Sequence, residues 1–120
     1  MKALPTIIVG FGCLVAMYAL AEYPGMKALT GQFDVTGLHP IDPAPDEPQD
    51  THFRVYLTGD AAKTLFEQMK VQTAPVACGD YPDGREKRIG SMLCSTDNRK
   101  YECFFAINIQ DQKIEGGWSC

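Results

Sequence analysis

Histidine is scarce here, with two residues among 120, and no pair of cysteines forms a C-x-x-C knuckle. Those two shortages remove several kinds of chemistry. A structural zinc site draws its tetrahedral ligands from closely spaced Cys and His pairs. A redox dithiol likewise uses a C-x-x-C pair at a helix start. From Cys78 the cysteines instead follow at spacings of 16, 9 and 17, to Cys94, Cys103 and Cys120. A histidine base beside a nucleophile is not suggested either: His39 lies in a proline-rich run and His52 opens a strand-like stretch. Asp80 to Gly84 lacks the alternating oxygen ligands and closing glutamate of a calcium loop and reads as a plain turn. No catalytic residue, metal or cofactor is therefore expected. An excess of positive charge is also missing. The net charge of −4 argues against nucleic acid as a partner.

The N-terminus is short of charge in a different way. MKALPTIIVGFGCLVAMYALA carries Lys2 and then no charged residue until Glu22. A basic start, an apolar run and the small-residue triplet Ala19-Leu20-Ala21 are the three regions of a secretory signal peptide. A membrane anchor is the rival reading, since about 18 apolar residues could span a bilayer. Pro5, Gly10 and Gly12 within the run favour cleavage. The expected organisation is a signal peptide over residues 1–21, a tether over 22–50 and one domain over 51–120. The product is expected to be periplasmic or secreted, monomeric, and off the membrane once cleaved.

The tether reading rests on five prolines between residues 22 and 50 and on HPIDPAPDEPQD, which has four acids and little to bury. Such composition favours extended, disordered chain, with QFDVTG as a lesser candidate for a strand. Beyond it, HFRVYL alternates apolar and polar residues and predicts a strand from His52 to Leu57. Thr58 offers an N-cap and AAKTLFEQMK follows, with Ala61, Ala62, Leu65, Phe66 and Met69 on one stripe. Three more strands are expected, at about Ile89 to Ser95, Lys100 to Ile109, and Lys113 to Trp118.

A two-residue turn at Asn98-Arg99 sets Cys94 opposite Cys103, and one at Asp111-Gln112 sets Ile109 opposite Ile114 and Cys103 opposite Cys120. This pairing gathers Met92, Cys94, Tyr101, Cys103, Phe105, Ile107, Ile109 and Ile114 on one face. The expected fold is α+β: strand and helix, then a three-stranded antiparallel meander, in a small disulfide-stapled domain.

Export leaves four cysteines, an even count that reads as two disulfides in an oxidising compartment. Cys94 and Cys120 flank Cys103 on either side and are too far apart to bond. Two connectivities survive: Cys78–Cys94 with Cys103–Cys120, or Cys94–Cys103 with Cys78–Cys120. The first is slightly favoured because it staples the long loop and the chain end separately. The loop DYPDGREKR, holding Tyr81, Arg85, Lys87 and Arg88, is the candidate partner-binding surface, because Tyr and Arg are enriched where proteins meet.

LTGDAAKTLFEQMK, Cys78, KRIGSMLCS and YECFFAINI together resemble an uncharacterised family of small exported bacterial proteins, over about residues 55–115. The resemblance implies an exported, cysteine-stapled domain and brings no catalytic residue. The functional expectation is a non-catalytic module that binds an unknown protein partner, as an inhibitor or immunity-type protein does. Two other classes stand beside it. One is an envelope structural or stress component anchored by an uncleaved N-terminus; the other is a small secreted enzyme or toxin working through carboxylates such as Glu102 or Glu115.

Overall fold

The computed structural model describes residues 23–77 and 82–116. Among the described residues, seven antiparallel strands form one sheet, and a single short helix lies against it. The strands are β1 (Gly31–Thr36), β2 (His52–Thr58), β3 (Ala74–Pro75), β4 (Arg85–Ile89), β5 (Met92–Thr96), β6 (Tyr101–Asn108) and β7 (Lys113–Glu115). The helix, α1, spans Gly59–Gln68. Sheet order is β1-β2-β6-β5-β4-β3, with β7 also paired to β6. β6 is the centre: β2 runs along one edge, while β5 and β7 pair with different halves of it.

This corrects the α+β expectation of a strand-helix unit plus a three-stranded meander. The fold is sheet-dominated, and two of the added strands come from stretches without a clear local signal. β1 forms within the expected tether, in register with β2 from Gly31↔Leu57 to Thr36↔His52. The proline-rich run behind it is a β1–β2 connection, closed where the Thr51 N–H donates to the Thr36 carbonyl at 3.0 Å. Gly31 is required at its place, because a Cβ there would meet the Tyr56 carbonyl oxygen at 2.2 Å. β4 forms within the expected loop and joins β5 through Gly90 and Ser91, with Gly90 at φ +57° and Ile89 opposite Met92.

Cys94 stands opposite Cys103, as the turn at Asn98-Arg99 requires. Their Cα atoms are 4.0 Å apart and the two are joined in a disulfide. That bond excludes the favoured connectivity, Cys78–Cys94 with Cys103–Cys120, since each sulfur forms one such bond. Direct cross-strand opposition holds these two Cα atoms within bonding reach of each other. Cys78 and Cys120 lie outside the described residues, as do residues 1–21, Tyr81 and Trp118.

The second register differs by two residues: Ile107, not Ile109, faces Ile114. Asn108 explains the longer connection. Its side-chain oxygen accepts from the Gln110 and Asp111 backbone N–H groups, and its carbonyl accepts from Gln112 at 2.8 Å. Because a shift of two preserves the pleat, every side chain keeps its predicted face.

The helix follows from its stripe. Ala62, Phe66 and Met69 are buried against Leu57, Cys94 and Cys103, with Val55, Leu65, Tyr101 and Phe105 packed around them. Gly59 at φ +61° lets β2 turn directly into the helix. Thr58 occupies the N-cap position, but its side chain makes no capping hydrogen bond. Ten residues of helix reach about 15 Å. They cover one end of the sheet's inner face and, among the described residues, leave the other end bare.

Candidate binding cleft

The basic residues singled out in the sequence do not converge. Arg85 and Lys87 share the inner face through their register with Thr96 and Cys94, whereas Arg88 pairs with Leu93 on the outer face. Lys87 is engaged in the fold. Its Nζ donates to the Phe66 and Met69 carbonyls at 2.9 and 3.1 Å and lies 4.6 Å from the Phe66 ring centroid. It therefore closes the helix C-terminus, where exposed carbonyls and the helix dipole favour a cation.

His52, set aside in the sequence, enters a cross-strand cluster. Its Nε2 lies 2.7 Å from Glu115 Oε2, and its Nδ1 lies 2.8 Å from Thr51 Oγ1. The two side chains meet diagonally across β6, where His52 stands opposite Asn108 and Glu115 opposite Ala106, which is 1% exposed. Glu115 also accepts from the Asn108 amide at 3.2 Å. The His52 hydrogen bond, then that of Asn108, holds the Glu115 carboxyl below its ordinary range. A Thr-His-Glu order resembles a nucleophile, base and acid. Here the Thr51 hydroxyl lies 3.1 Å from the Thr36 carbonyl, within donating distance, and does not line the adjacent cavity of about 160 Å³. The cluster ties β7 to β2 across β6. Glu102 is likewise engaged, accepting from the Tyr56 hydroxyl at 2.9 Å.

A concave feature with a volume of about 590 Å³ lies at the helix-covered end of the sheet. Its walls are the β2–α1 junction and the tip of the β5–β6 hairpin. Tyr56, Tyr101, Lys63, Asp60, Arg99, Lys100 and Glu102 line it. The hairpin tip is rigid for local reasons. Asp97 Oδ1 accepts from the Arg99 and Lys100 backbone N–H groups, both at 2.8 Å. Thr96 Oγ1 donates to the Lys100 carbonyl at 2.7 Å and accepts from the Asn98 N–H at 3.0 Å. Asn98 supplies the positive φ of +70° that the turn needs. The Lys100 and Arg99 N–H groups also hold the Asp97 carboxyl below its usual value.

The tyrosines are braced in turn. Tyr56 stacks on Phe104 with centroids 4.5 Å apart, and Tyr101 meets the Phe66 ring edge-on at 5.5 Å. Lys63 Nζ sits 6.0 Å from the Tyr101 centroid. Three cations, Lys63, Arg99 and Lys100, face two carboxylates, Asp60 and Glu102, so the cleft has a balance of +1 in a chain of net charge −4. Fixed aromatic rings with exposed cations at the rim can clasp an extended segment bearing a carboxylate.

Sequence reasoning missed this cleft because it joins residues about forty apart. Arg99 and Lys100 were legible as a hairpin tip; their proximity to Lys63 and Asp60 depends on β2 pairing with β6. Among the described residues no group of His, Cys, Asp and Glu is arranged to hold a metal, and no helix is long and apolar enough to cross a membrane. Compared with known proteins, the chain matches no protein family, no curated protein and no solved structure.

Proposed function

We propose that the chain is an exported, non-catalytic binding module of the bacterial cell envelope, acting on a protein partner as an inhibitor or immunity-type protein does. The observation that carries this reading is the cleft: a volume of about 590 Å³ between two rigid walls, with two tyrosines and three cations converging on it. The Cys94–Cys103 bridge supports an oxidising setting, because such bonds persist mainly in exported proteins. The segment that fits is an exposed stretch of a partner with a carboxylate for Arg99 or Lys63 and an apolar or aromatic side chain for the tyrosines. A rigid cleft lowers the entropy cost of holding it.

Affinity capture from an envelope extract tests the proposal. The wild-type domain is compared with Lys63→Ala/Arg99→Ala in the cleft and with Arg85→Ala/Arg88→Ala on β4. A partner retained by wild type and the β4 variant but lost by the cleft variant is the expected result. Equal recovery by all three forms removes the cleft from the account, and selective loss by the β4 variant returns the contact to the basic strand.

A further inference from the structure

The helix-free end of the inner face is an apolar row. Val35, Phe53, Ile107 and Ile114 lie in register across β1, β2, β6 and β7. Phe33 stacks on Phe53 with ring centroids 4.9 Å apart. Exposure of Phe33, Val35, Ile107, Ile109 and Ile114 ranges from 39% to 68%. No charged residue occupies the inner register positions of these four strands, from Gly31, Phe33 and Val35 through Phe53, Val55 and Leu57 to Ile114. Their charged residues, Asp34, Arg54, Glu102, Lys113 and Glu115, all fall on the outer face. A sheet with one layer against half of it remains short of a covering layer.

We infer that a second copy of this chain supplies that layer, packing apolar half-face on apolar half-face about a twofold axis. Three observations choose this occupant. An isologous contact sets a patch against itself, and an uncharged patch meets no repulsion in doing so. The outer faces, with their carboxylates, point away from each other in this arrangement. The area also suffices: the five exposed side chains present on the order of 450 Å² per copy, about 900 Å² of apolar surface in the pair. Homodimer interfaces are about 65% apolar, so the whole contact comes to roughly 1,400 Å², within the range of specific complexes. Sheets stack in this way at about 10 Å.

The contact is distinct from the cleft and replaces the expectation of a monomer. Phe53 and Thr58 are at opposite ends of β2, roughly 17 Å apart by strand rise. Pairing through the apolar end leaves two clefts open, and the dimer is a bivalent binder.

Sedimentation velocity on the exported protein tests the inference. At about 100 µM, well above the roughly micromolar dissociation constant of a modest interface, the wild type sediments as a species of twice the chain mass. Ile107→Asp sediments as a monomer with an unchanged far-ultraviolet spectrum. Phe33→Ser, on the exposed edge strand, gives the same result if Ile107→Asp fails to fold. Arg99→Ala in the cleft remains dimeric. A wild-type protein that is monomeric at this concentration overturns the proposal, as does a folded Phe33→Ser or Ile107→Asp variant that still dimerises.

Discussion

Lys87 separates the structural reading of the basic strand from a binding one, and Lys87→Met is the perturbation that does so. Methionine keeps the aliphatic stem over Phe66 and removes the charge. The loss comprises two charge-assisted hydrogen bonds to Phe66 and Met69 carbonyls and the cation's position over the Phe66 ring. Hydrogen bonds involving a charged group contribute about 1.5–3 kcal/mol, and a cation at a helix C-terminus about 0.3–1. A packed methionine loses rotamer entropy much as lysine does, but at this part-buried site water replaces the ammonium at the two carbonyls and offsets much of the loss. The net expectation is about 1–2 kcal/mol of destabilisation, a fall in melting temperature of roughly 5–15 °C for a domain of this size. Urea denaturation followed by helix ellipticity measures it. A variant as stable as wild type refutes the clamp, and if that variant also loses a bound partner, Lys87 belongs to a contact surface.

Other consequences follow from the same geometry. Replacing Cys94 and Cys103 together by alanine opens a loop of about ten residues, and chain entropy alone gives about 2.7 kcal/mol of lost stability; a loss under about 1 kcal/mol by denaturant titration speaks against the bridge as a staple. Gly31→Ala drives a Cβ into the Tyr56 carbonyl, so β1 should detach and its amides lose hydrogen-exchange protection while β5 and β6 keep theirs. Glu115 and Asp34 are held below their ordinary values of 4.5 and 3.8 by His52 and Arg54 respectively. The unfolded chain therefore takes up these protons first, and stability present above those values declines as pH falls through and below them. His52→Gln should flatten that acid-side decline in pH-dependent denaturation; an unchanged slope removes the His52–Glu115 tie.

Legibility in the sequence tracked distance along the chain. The ten residues from Cys94 to Cys103 carried their own turn, and parity placed both sulfurs inward. The α1 stripe was readable because helix periodicity is local. β1 was only partly so: QFDVTG offered a lesser strand candidate, but GQFDVT is held by pairing with β2 across a proline-rich connection, and its composition carries no trace of that partner. β4 failed for a related reason, since REKRI has the charge of a loop and is held by β5 on one side and β3 on the other. The site was less legible still. Lys87 reaching the helix end and His52 meeting Glu115, 63 residues away, are tertiary events. So is the bare half of the inner face, which sequence parity assigned to the core. Its exposure follows from the shortness of α1, not from any residue on the face.

The β5–β6 register underlies the staple and the hairpin wall of the cleft, and peptide mapping of the unreduced protein tests it directly. Trypsin cleaves at Arg88, Arg99, Lys100 and Lys113, which leaves Cys94 on the peptide 89–99 and Cys103 on the peptide 101–113. The account predicts these two peptides as one disulfide-linked species that separates on reduction. Recovery of 89–99 bonded to the peptide carrying Cys78, with 101–113 bonded to the one carrying Cys120, would contradict it.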